Sequence, residues 1–385
     1  MITYQSTMKN ILITGGAGFI GSNLALKLLN KGYDVTVFDN LSPQIHGEDP
    51  DQSPLYLSIK HKVNFIRGNV TSRADLLQAL SGQHIVVHFA AETGTGQSMY
   101  EIEKYSYVNI GGTALLLDII TNEKGIKIEK MVIASSRSIY GEGKYQNVAG
   151  QIVYPAARME QDMESGDFEV KDPKTHENLV LLPTDEDSKI HPSSVYGISK
   201  QNQEQMILTV GKALGIPAVA LRYQNVYGPG QSLTNPYTGI LSIFSTLIKN
   251  GKDISIFEDG KESRDFVFIN DVVDATILSI EKEEANDKVF NVGSGVAVDV
   301  LTVANTLKSA FDSNINIKIT GNYRLGDIRH NYADLTKIRS ELGFEPNYDF
   351  KTGISLFAQW VNSQEIRESK YEESLTEMKD RGLYK

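Results

Sequence analysis

The stretch Ile-Leu-Ile-Thr-Gly-Gly-Ala-Gly-Phe-Ile-Gly, residues 11–21, decides the fold of this chain. Gly15, Gly18 and Gly21 follow a short apolar run and precede residues 22–30, whose leucines share one helical face. Glycine is required where a chain turns tightly, where backbone approaches a pyrophosphate, and where a helix packs closely on a strand. The stretch therefore predicts a strand, a turn and a helix whose N-terminus receives the phosphates of a dinucleotide.

The type of dinucleotide follows from the next β-rich run, residues 34–39, which ends in a carboxylate. Asp39 stands where a side chain accepts hydrogen bonds from the adenosine ribose hydroxyls. Because an acid at this point repels a 2'-phosphate, the sequence favours NAD over NADP.

The alternation of β-rich runs with helical segments extends the same fold along the chain. Several of these runs are apolar on both faces, as buried parallel strands are. The runs are residues 11–14, 34–39, 63–70, 84–90, 131–136 and 217–223. Strands that alternate with helices predict an α/β fold with a Rossmann-type, doubly wound parallel sheet. After Tyr227 the alternation loosens, which indicates a smaller, irregular α/β domain.

Composition excludes several classes of function. The 385 residues contain 38 basic and 48 acidic side chains, a net charge of −10, so nucleic-acid binding is not expected. The absence of cysteine removes disulfides and Cys-ligated metal sites. No apolar run approaches the ~18 residues of a membrane span, and Met1–Met8 lacks a secretory signal pattern, so a cytoplasmic location is expected.

A tyrosine and a lysine four residues apart share a helix face, where the ammonium favours the phenolate. The chain has four such pairs: Tyr56/Lys60, Tyr100/Lys104, Tyr140/Lys144 and Tyr196/Lys200. Position selects among them, because a nicotinamide lies beyond the carboxyl ends of the strands. Tyr196 opens a long helical stretch after the fifth strand, so we expect Tyr196 and Lys200 to perform acid–base chemistry.

The fifth run leads into Ser135-Ser136-Arg137-Ser138-Ile139-Tyr140-Gly141. A serine at this strand end can hydrogen-bond the substrate oxygen that Tyr196 deprotonates. Serines also cap turns for local reasons, so the chemistry leaves open which of these serines is used.

Gly-x-x-Gly-x-x-Gly, Ser-x-x-x-Tyr-Gly and Tyr-x-x-x-Lys, in this order, resemble the extended short-chain dehydrogenase/reductase superfamily of NAD-dependent nucleotide-sugar epimerases and dehydratases. The resemblance covers about residues 9–360. It implies that Ser136 joins Tyr196 and Lys200 as catalytic residues, with Ser138 as second choice. The cofactor-binding residues that it implies are Gly15, Gly18, Phe19, Ile20, Gly21, Asp39, Asn40, Asn69, Val70, Phe89, Ala90, Ala91, Asn109, Tyr196, Lys200 and Tyr223.

The resemblance also implies how the rest of the chain is used. Ser136, Asn225, Arg264 and Arg329 match positions that contact a nucleotide-diphosphate sugar, and guanidinium groups suit its phosphates. A homodimer is implied through the helices near residues 100–122 and 196–214.

The expected domain division has three parts. Residues 8–226 and about 265–290 form the NAD-binding domain, with an insertion at 146–190. Residues 227–264 and 291–360 form the nucleotide-sugar-binding domain. Residues 361–385 form a charged C-terminal tail, expected to be a solvated helix or a frayed end.

Within the superfamily, residues 94–102 and 227–237 resemble the dTDP-L-rhamnose 4-epimerase branch, whose relatives often carry cysteine pairs in the insertion. This chain has none, and Asp172 and His176 are expected to be solvated residues rather than metal ligands. Dehydratases carry Thr-Asp-Glu where this chain has Ser136-Arg137-Ser138, so no acid for water elimination is present there.

The resulting prediction is an NAD-dependent nucleotide-sugar 4-epimerase that acts through a transient 4-keto intermediate, on a dTDP-6-deoxyhexose such as dTDP-L-rhamnose. A 4,6-dehydratase, a 4-ketoreductase and a non-catalytic NAD-binding regulator are the alternatives. The nucleotide and the sugar are not determined by the sequence.

Overall fold

The computed structural model describes residues 9–233, 235, 237, 239–365 and 371–385. The expectation about a signal in Met1–Met8 therefore lies outside the described residues, as do parts of the stretch 227–237 and of the C-terminal tail.

Sixteen strands are present in the described part of the chain. They are β1 Asn10–Thr14, β2 Asp34–Asp39, β3 Asn64–Arg67, β4 Ile85–His88, β5 Lys130–Ser136, β6 Tyr145–Gln146, β7 Ile152–Val153, β8 Val180–Leu181, β9 Ala218–Tyr223, β10 Asn225–Tyr227, β11 Ile254–Ile256, β12 Ser263–Phe268, β13 Lys288–Val292, β14 Ala297–Asp299, β15 Ile317–Ile319 and β16 His330–Asn331.

Helices separate most of these strands. They are α1 Phe19–Asn30, α2 Pro43–His46, α3 Pro54–Ile59, α4 Arg73–Leu80, α5 Thr95–Ser98, α6 Ile102–Tyr105, α7 Gly112–Asn122, α8 Glu160–Glu164, α9 Val195–Leu214, α10 Ile240–Lys249, α11 Ile269–Glu281, α12 Val300–Ala310, α13 Thr336–Leu342, α14 Phe350–Asn362 and α15 Tyr371–Asp380. A π-helical turn, Ser106–Gly111, joins α6 to α7.

The predicted parallel sheet is confirmed, with seven strands in the order β13-β9-β5-β4-β1-β2-β3. All residues of β5 and β9 are buried, because helices cover both faces of the sheet. One layer includes α1 and α11, and the other includes α4, α7 and α9. The seventh strand, β13, is one that the sequence analysis did not single out.

The caps and packing of the long helix α9 explain why Tyr196 has a fixed position. Its N-cap residue Ser194 accepts a hydrogen bond from the amide of Gly197, and Gly215 ends the helix at φ +67°. Helix α9 packs on β5, so residues at its start lie near the carboxyl end of that strand.

The smaller lobe has the irregular α/β character expected from the sequence. Strand β12 pairs with β10, β14 and β16, while β11 and β15 form a separate parallel pair. Helices α10, α12 and α14 pack on each other and on these strands.

The insertion folds as a small antiparallel sheet in the order β7-β6-β8, together with α8. Buried ion pairs tie it to the smaller lobe, because Arg158 donates to both carboxylate oxygens of Glu258 at 2.8 and 2.7 Å. In the described ranges, no group of three or more His, Asp and Glu side chains could hold a metal ion.

The C-terminal segment differs from the expected solvated helix or frayed end. Helix α15 buries Tyr371, Ser374 and Met378, which recur along one face at helical spacing. The charged residues that suggested a solvated tail occupy its other faces. Across the residues that the structure describes, no helix has the length and apolar character needed to span a membrane.

Candidate active site

A cavity of about 610 Å³ opens at the carboxyl ends of the parallel strands, between the sheet and the smaller lobe. The glycine turn, the end of β5, the start of α9 and residues of β11, β12 and α15 all contribute to its wall. This is the edge at which open α/β sheets bind their ligands.

The glycine turn at one end of the cavity has the geometry of a phosphate cradle. Gly15 adopts φ +66°, and a Cβ there would lie 2.7 Å from the amide nitrogen of Ala90. A Cβ on Gly21 would lie 2.6 Å from the carbonyl oxygen of Gly15. Helix α1 begins after Gly18 with no side-chain cap and no acid in its first turn. Its first amides are therefore available to an anion, and the cradle fits a dinucleotide pyrophosphate.

Asp39 lies beside this turn at the end of β2. Its carboxylate accepts hydrogen bonds from the amides of Ala17 at 3.0 Å and Leu41 at 2.8 Å. Nε2 of His46 lies 3.9 Å from Asp39 Oδ1, and burial lowers the pKa of that histidine. Burial also raises the pKa of Asp39, while the hydrogen bonds oppose this shift. The carboxylate lines the cavity with its orientation fixed, as ribose recognition requires.

Most residues expected to bind the cofactor line the cavity. They are Gly15, Gly18, Phe19, Ile20, Gly21, Asp39, Asn40, Val70, Phe89, Ala90, Ala91, Tyr196, Lys200 and Tyr223.

Asn69 and Asn109 do not line it. The exposed Asn69 accepts hydrogen bonds from the amide and hydroxyl of Thr71, and Gly68 lines the cavity instead. Asn109 is buried behind the wall, where it accepts from the amide of Glu92 and donates to Ser199. Their side chains support the local backbone.

The three expected catalytic residues meet in the cavity. Ser136 Oγ accepts hydrogen bonds from the amide of Ser138 at 3.1 Å and from its hydroxyl at 2.9 Å. Burial raises the pKa of the Tyr196 hydroxyl, and the neighbouring Ser136 side chain opposes this shift. Lys200 Nζ donates to the carbonyl oxygen of Ala134 at 3.0 Å, and burial lowers the pKa of this lysine to about 7. Both hydroxyls and the ammonium therefore belong to one contiguous site.

Of the four tyrosine–lysine pairs, Tyr196/Lys200 is the pair that lines the cavity. Tyr140 instead links two strands of the sheet, because its hydroxyl donates to Asn291 of β13 and accepts from Arg222 of β9. The choice made from chain position agrees with this placement.

Arg137 is a cavity residue to which the sequence analysis gave no role. It follows Ser136 directly, and its Nε donates to Asn225 Oδ1 at 2.8 Å. Burial, and then the nearby charge of Arg264, lower the pKa of Arg137 to about 9. A signal for it existed, since an arginine within the Ser-x-x-x-Tyr-Gly motif places a cation at the strand end that carries Ser136.

Arg264 lines the cavity with Asn225 and Arg137. Its two terminal nitrogens donate to the carbonyl oxygens of Ser263, Ile328 and Arg329 at 2.6–2.8 Å. These contacts hold the guanidinium in place without neutralising its charge. Two cationic side chains, Arg137 and Arg264, therefore line the same cavity.

Arg329 is a correction to the expected substrate-binding set. It is fully buried outside the cavity wall, where its guanidinium pairs with Glu169, Glu258 and Asp259 at 2.6–3.0 Å. An arginine already matched by carboxylates is not available to a diphosphate. Arg324, five residues earlier in the chain, lines the cavity instead.

Tyr371 and Met378 of α15 also line the cavity, and sequence reasoning missed both. The helical spacing of Tyr371, Ser374 and Met378 was the available signal, although the surrounding charges obscured it.

Comparison with known proteins gives the class of this molecule. Residues 11–159 and 172–293 match the NAD dependent epimerase/dehydratase family, and the chain belongs to that family. NAD is the cofactor of its members, which agrees with the cradle and with Asp39.

Individual relatives are similar to this chain over nearly its whole length. The chain is 37% identical over 361 residues to a dTDP-L-rhamnose 4-epimerase of Burkholderia thailandensis, covering 93% of this chain and 96% of that protein. A UDP-glucose 4-epimerase of Thermotoga maritima, solved with UDP-glucose, has a TM-score of 0.75 at 28% identity, covering 92% of this chain and 98% of that one. A UDP-glucuronic acid 4-epimerase of Bacillus cereus, solved with UDP-glucuronic acid and NAD, has a TM-score of 0.72 at 25% identity, covering 92% and 99%.

Proposed function

We propose that this protein is an NAD-dependent nucleotide-sugar 4-epimerase that acts through a transient 4-keto intermediate. One observation carries the proposal: Ser136, Tyr196 and Lys200 line the same cavity as the glycine cradle. Positions 137 and 138 hold Arg and Ser, where dehydratases carry the Asp and Glu that eliminate water. The relative from Burkholderia thailandensis supports a dTDP-6-deoxyhexose, such as dTDP-L-rhamnose, as the substrate.

In this mechanism the chain's own residues handle the proton and the sugar oxygen. Bound NAD supplies the hydride acceptor and donor. Tyr196 takes the proton of the sugar 4-hydroxyl and later returns it, while Ser136 hydrogen-bonds the same oxygen. Lys200 places a cationic group behind the pair, held by the carbonyl of Ala134. Between the removal of hydride from C4 and its return, the keto sugar turns in the site. The hydride then returns to the opposite face, which inverts C4.

The diphosphate is proposed to bind at Arg137, Asn225 and Arg264. All three line the cavity, and a guanidinium suits a phosphate by geometry as well as charge. We propose that the domain boundaries expected from the sequence hold, so that Arg137 and Asn225 belong to the NAD-binding domain and Arg264 to the nucleotide-sugar-binding domain, with the diphosphate between them.

A homodimer is also proposed, through α7 and α9. A shallow, mostly apolar groove on these helices is lined by Ala114, Leu117, Asp118, Thr121, Asn122, Met206 and Val210. Three further apolar side chains are 45–62% exposed: Ile102 of α6, Tyr107 of the π-helical turn and Ile198 of α9. Because an isolated copy leaves this surface in water, a second copy related by a two-fold axis is the proposed occupant.

A panel of dTDP-, UDP-, GDP- and CDP-sugars, assayed for inversion at C4, tests the proposal. The bound cofactor is identified after denaturation. Epimerisation with catalytic NAD supports it. Three results would each contradict it: a stoichiometric need for NADH, which marks a ketoreductase; formation of a 4-keto-6-deoxy sugar, which marks a dehydratase; and no turnover of any sugar, which favours a regulator.

A further inference from the structure

The C-terminal segment, defined as residues 371–385, closes one side of the cavity. Tyr371 and Met378 are 9% and 5% exposed, and both belong to the cavity wall. The remaining faces of α15 are charged and exposed. A segment that the sequence predicts to be solvated therefore contributes side chains to the binding site.

The segment is fixed at one side of the cavity by Tyr100 of the NAD-binding domain and by Tyr237. Glu377 Oε2 accepts hydrogen bonds from the hydroxyls of Tyr100 and Tyr237, each at 3.1 Å. The guanidinium of Arg381 lies 4.3 Å from the centre of the Tyr100 ring, as in a cation–π contact.

The same segment is fixed to the smaller lobe by backbone pairing. Tyr323 and Lys385 exchange two backbone hydrogen bonds of 2.9 and 3.0 Å, and the amide of Leu325 donates to Leu383 at 3.1 Å. The ring of Tyr384 lies 5.2 Å from that of the cavity residue Phe257. The segment thus bridges the two sides between which the ligand binds.

The two wall residues occupy different ends of the ligand path. Met378 Sδ lies 3.5 Å from the position of a Cβ on Gly96, in the short helix α5 that also carries Ser98. Ser98 Oγ accepts from the backbone amide of Tyr196 at 3.0 Å, so Met378 is at the catalytic end. Tyr371 and Arg324, a residue of the smaller lobe, both line the cavity. Burial raises the pKa of Tyr371, and the charge of Arg324 opposes this shift; this neighbour places Tyr371 toward the nucleotide end.

We propose that residues 371–385 form a substrate-retaining wall, in which Met378 contacts the sugar and Tyr371 contacts the nucleotide half of the substrate. The proposal rests on the function proposed above. It addresses a need of that chemistry, because the keto sugar must rotate within the site without leaving it.

Loss of the sugar at that stage has a defined stoichiometry. The C4–H electron pair has passed to NAD as hydride, and the proton of the 4-hydroxyl has passed to Tyr196. Each 4-keto sugar that escapes therefore leaves one equivalent of NADH on the enzyme, and the proton goes to solvent.

The test uses the full-length protein and four variants. Met378→Ala and Tyr371→Ala shorten the wall, Glu377→Gln weakens its attachment to Tyr100 and Tyr237, and Glu373→Ala alters an exposed residue one turn earlier as the matched control. Released ketone is separated from protein by rapid filtration, reduced with borodeuteride and counted by mass spectrometry against C4-inverted product.

We expect Met378→Ala and Tyr371→Ala to release about tenfold or more ketone per inversion, which corresponds to about 1.4 kcal/mol of lost retention. Glu377→Gln should shift the ratio in the same direction, whereas Glu373→Ala should match the wild type. Calorimetric titration with dTDP should show weaker binding to Tyr371→Ala and unchanged binding to Met378→Ala.

The proposal is overturned if variants with wild-type melting temperature and NAD content release no more ketone than Glu373→Ala. Because Glu377→Gln leaves the cavity side chains intact, it remains informative if the alanine variants fold poorly. Failure of the proposed function would appear separately, as absence of C4 inversion by the wild-type protein.

Discussion

Tyr196 is subject to opposing influences on its acidity. Burial raises the pKa of its hydroxyl, whereas the neighbouring Ser136 side chain and the charge of Arg137 lower it. The Lys200 ammonium is buried as well, and it donates a hydrogen bond to the carbonyl oxygen of Ala134 at 3.0 Å. The ordered contacts around the phenol keep it in position to exchange a proton with the sugar.

Replacement of that hydroxyl tests its role. We expect Tyr196→Phe to lower C4 inversion by about 10²–10⁴-fold, the usual contribution of a positioned acid–base group, while NAD stays bound. Steady-state rates and cofactor content after denaturation check this. A folded variant with near-normal turnover would show that another group moves the proton.

Arg137 gives a second prediction at the residue scale. Arg137→Met should raise KM for the nucleotide sugar about tenfold or more, because a charge-assisted contact contributes about 1.5–3 kcal/mol. The exposed residue Arg339 offers the control Arg339→Met, for which KM should not change. Equal KM values for the two variants would remove Arg137 from the diphosphate site.

At the scale of elements, the turn between β1 and α1 is determined by sterics. Gly15→Ala adds a Cβ 2.7 Å from the backbone of Ala90 at a positive φ, so the loop must move. We expect the purified variant to lose most of its NAD. Gly32→Ala is the control, because φ is also positive there, at +87°, but no atom lies within 4 Å of the added Cβ. We expect this variant to lose about 1–2 kcal/mol of stability and to retain NAD. Full NAD content in Gly15→Ala would argue against the cradle.

Glu142, which lies just before the insertion, is a buried acid whose pKa is shifted by its surroundings. Glu142 accepts from the amide of Arg329 at 2.8 Å, and burial raises its pKa to about 7, against the opposing effect of Arg158. In the unfolded chain its pKa returns toward 4.5. Between these values the folded state binds more protons, so this group favours folding at low pH, and that advantage disappears as pH rises through about 7.

Glu142→Gln should therefore gain stability relative to wild type as pH rises from 5 to 8, by about 2 kcal/mol, since Gln cannot ionise. Urea unfolding at both pH values measures this difference. The control Glu164→Gln, on an exposed position of α8, should show no such trend. A pH-independent difference between Glu142→Gln and wild type would contradict the assigned pKa shift.

Local patterns were sufficient for some elements and insufficient for others. The glycine turn, β5 and α9 follow from short-range apolar patterns, which is why Tyr196 could be chosen among four pairs by chain position. Strand β13 and helix α15 depend on packing against distant parts of the chain. Arg329 shows the same limit, because the acids that pair with it lie 70 or more positions away.

At the scale of the whole molecule, the proposed dimer makes a prediction about the α7–α9 surface. Ala114→Glu places a charge in its apolar groove and should convert the dimer to a monomer. Ala310→Glu, at the exposed end of α12, is the matched control and should leave the mass unchanged. Light scattering coupled to size exclusion gives both masses. A wild-type protein that is already monomeric would contradict the proposed interface.

The two sides of the cavity combine a cofactor cradle with a cationic substrate wall on a protein of net charge −10. The binding of a small anion such as a sugar diphosphate therefore depends more on the positions of Arg137 and Arg264 in the cavity than on the net charge of the protein. The C-terminal segment contacts both sides, and in the proposed function one continuous cavity holds the cofactor, the diphosphate and the sugar.

The most direct test of the account uses dTDP-L-rhamnose deuterated at C4, incubated with the purified protein and no added NADH. The account predicts the C4-inverted sugar with deuterium retained at C4, because the same hydride leaves and returns within one site. Inversion with loss of deuterium to solvent, or product formed only when NADH is supplied, would contradict it.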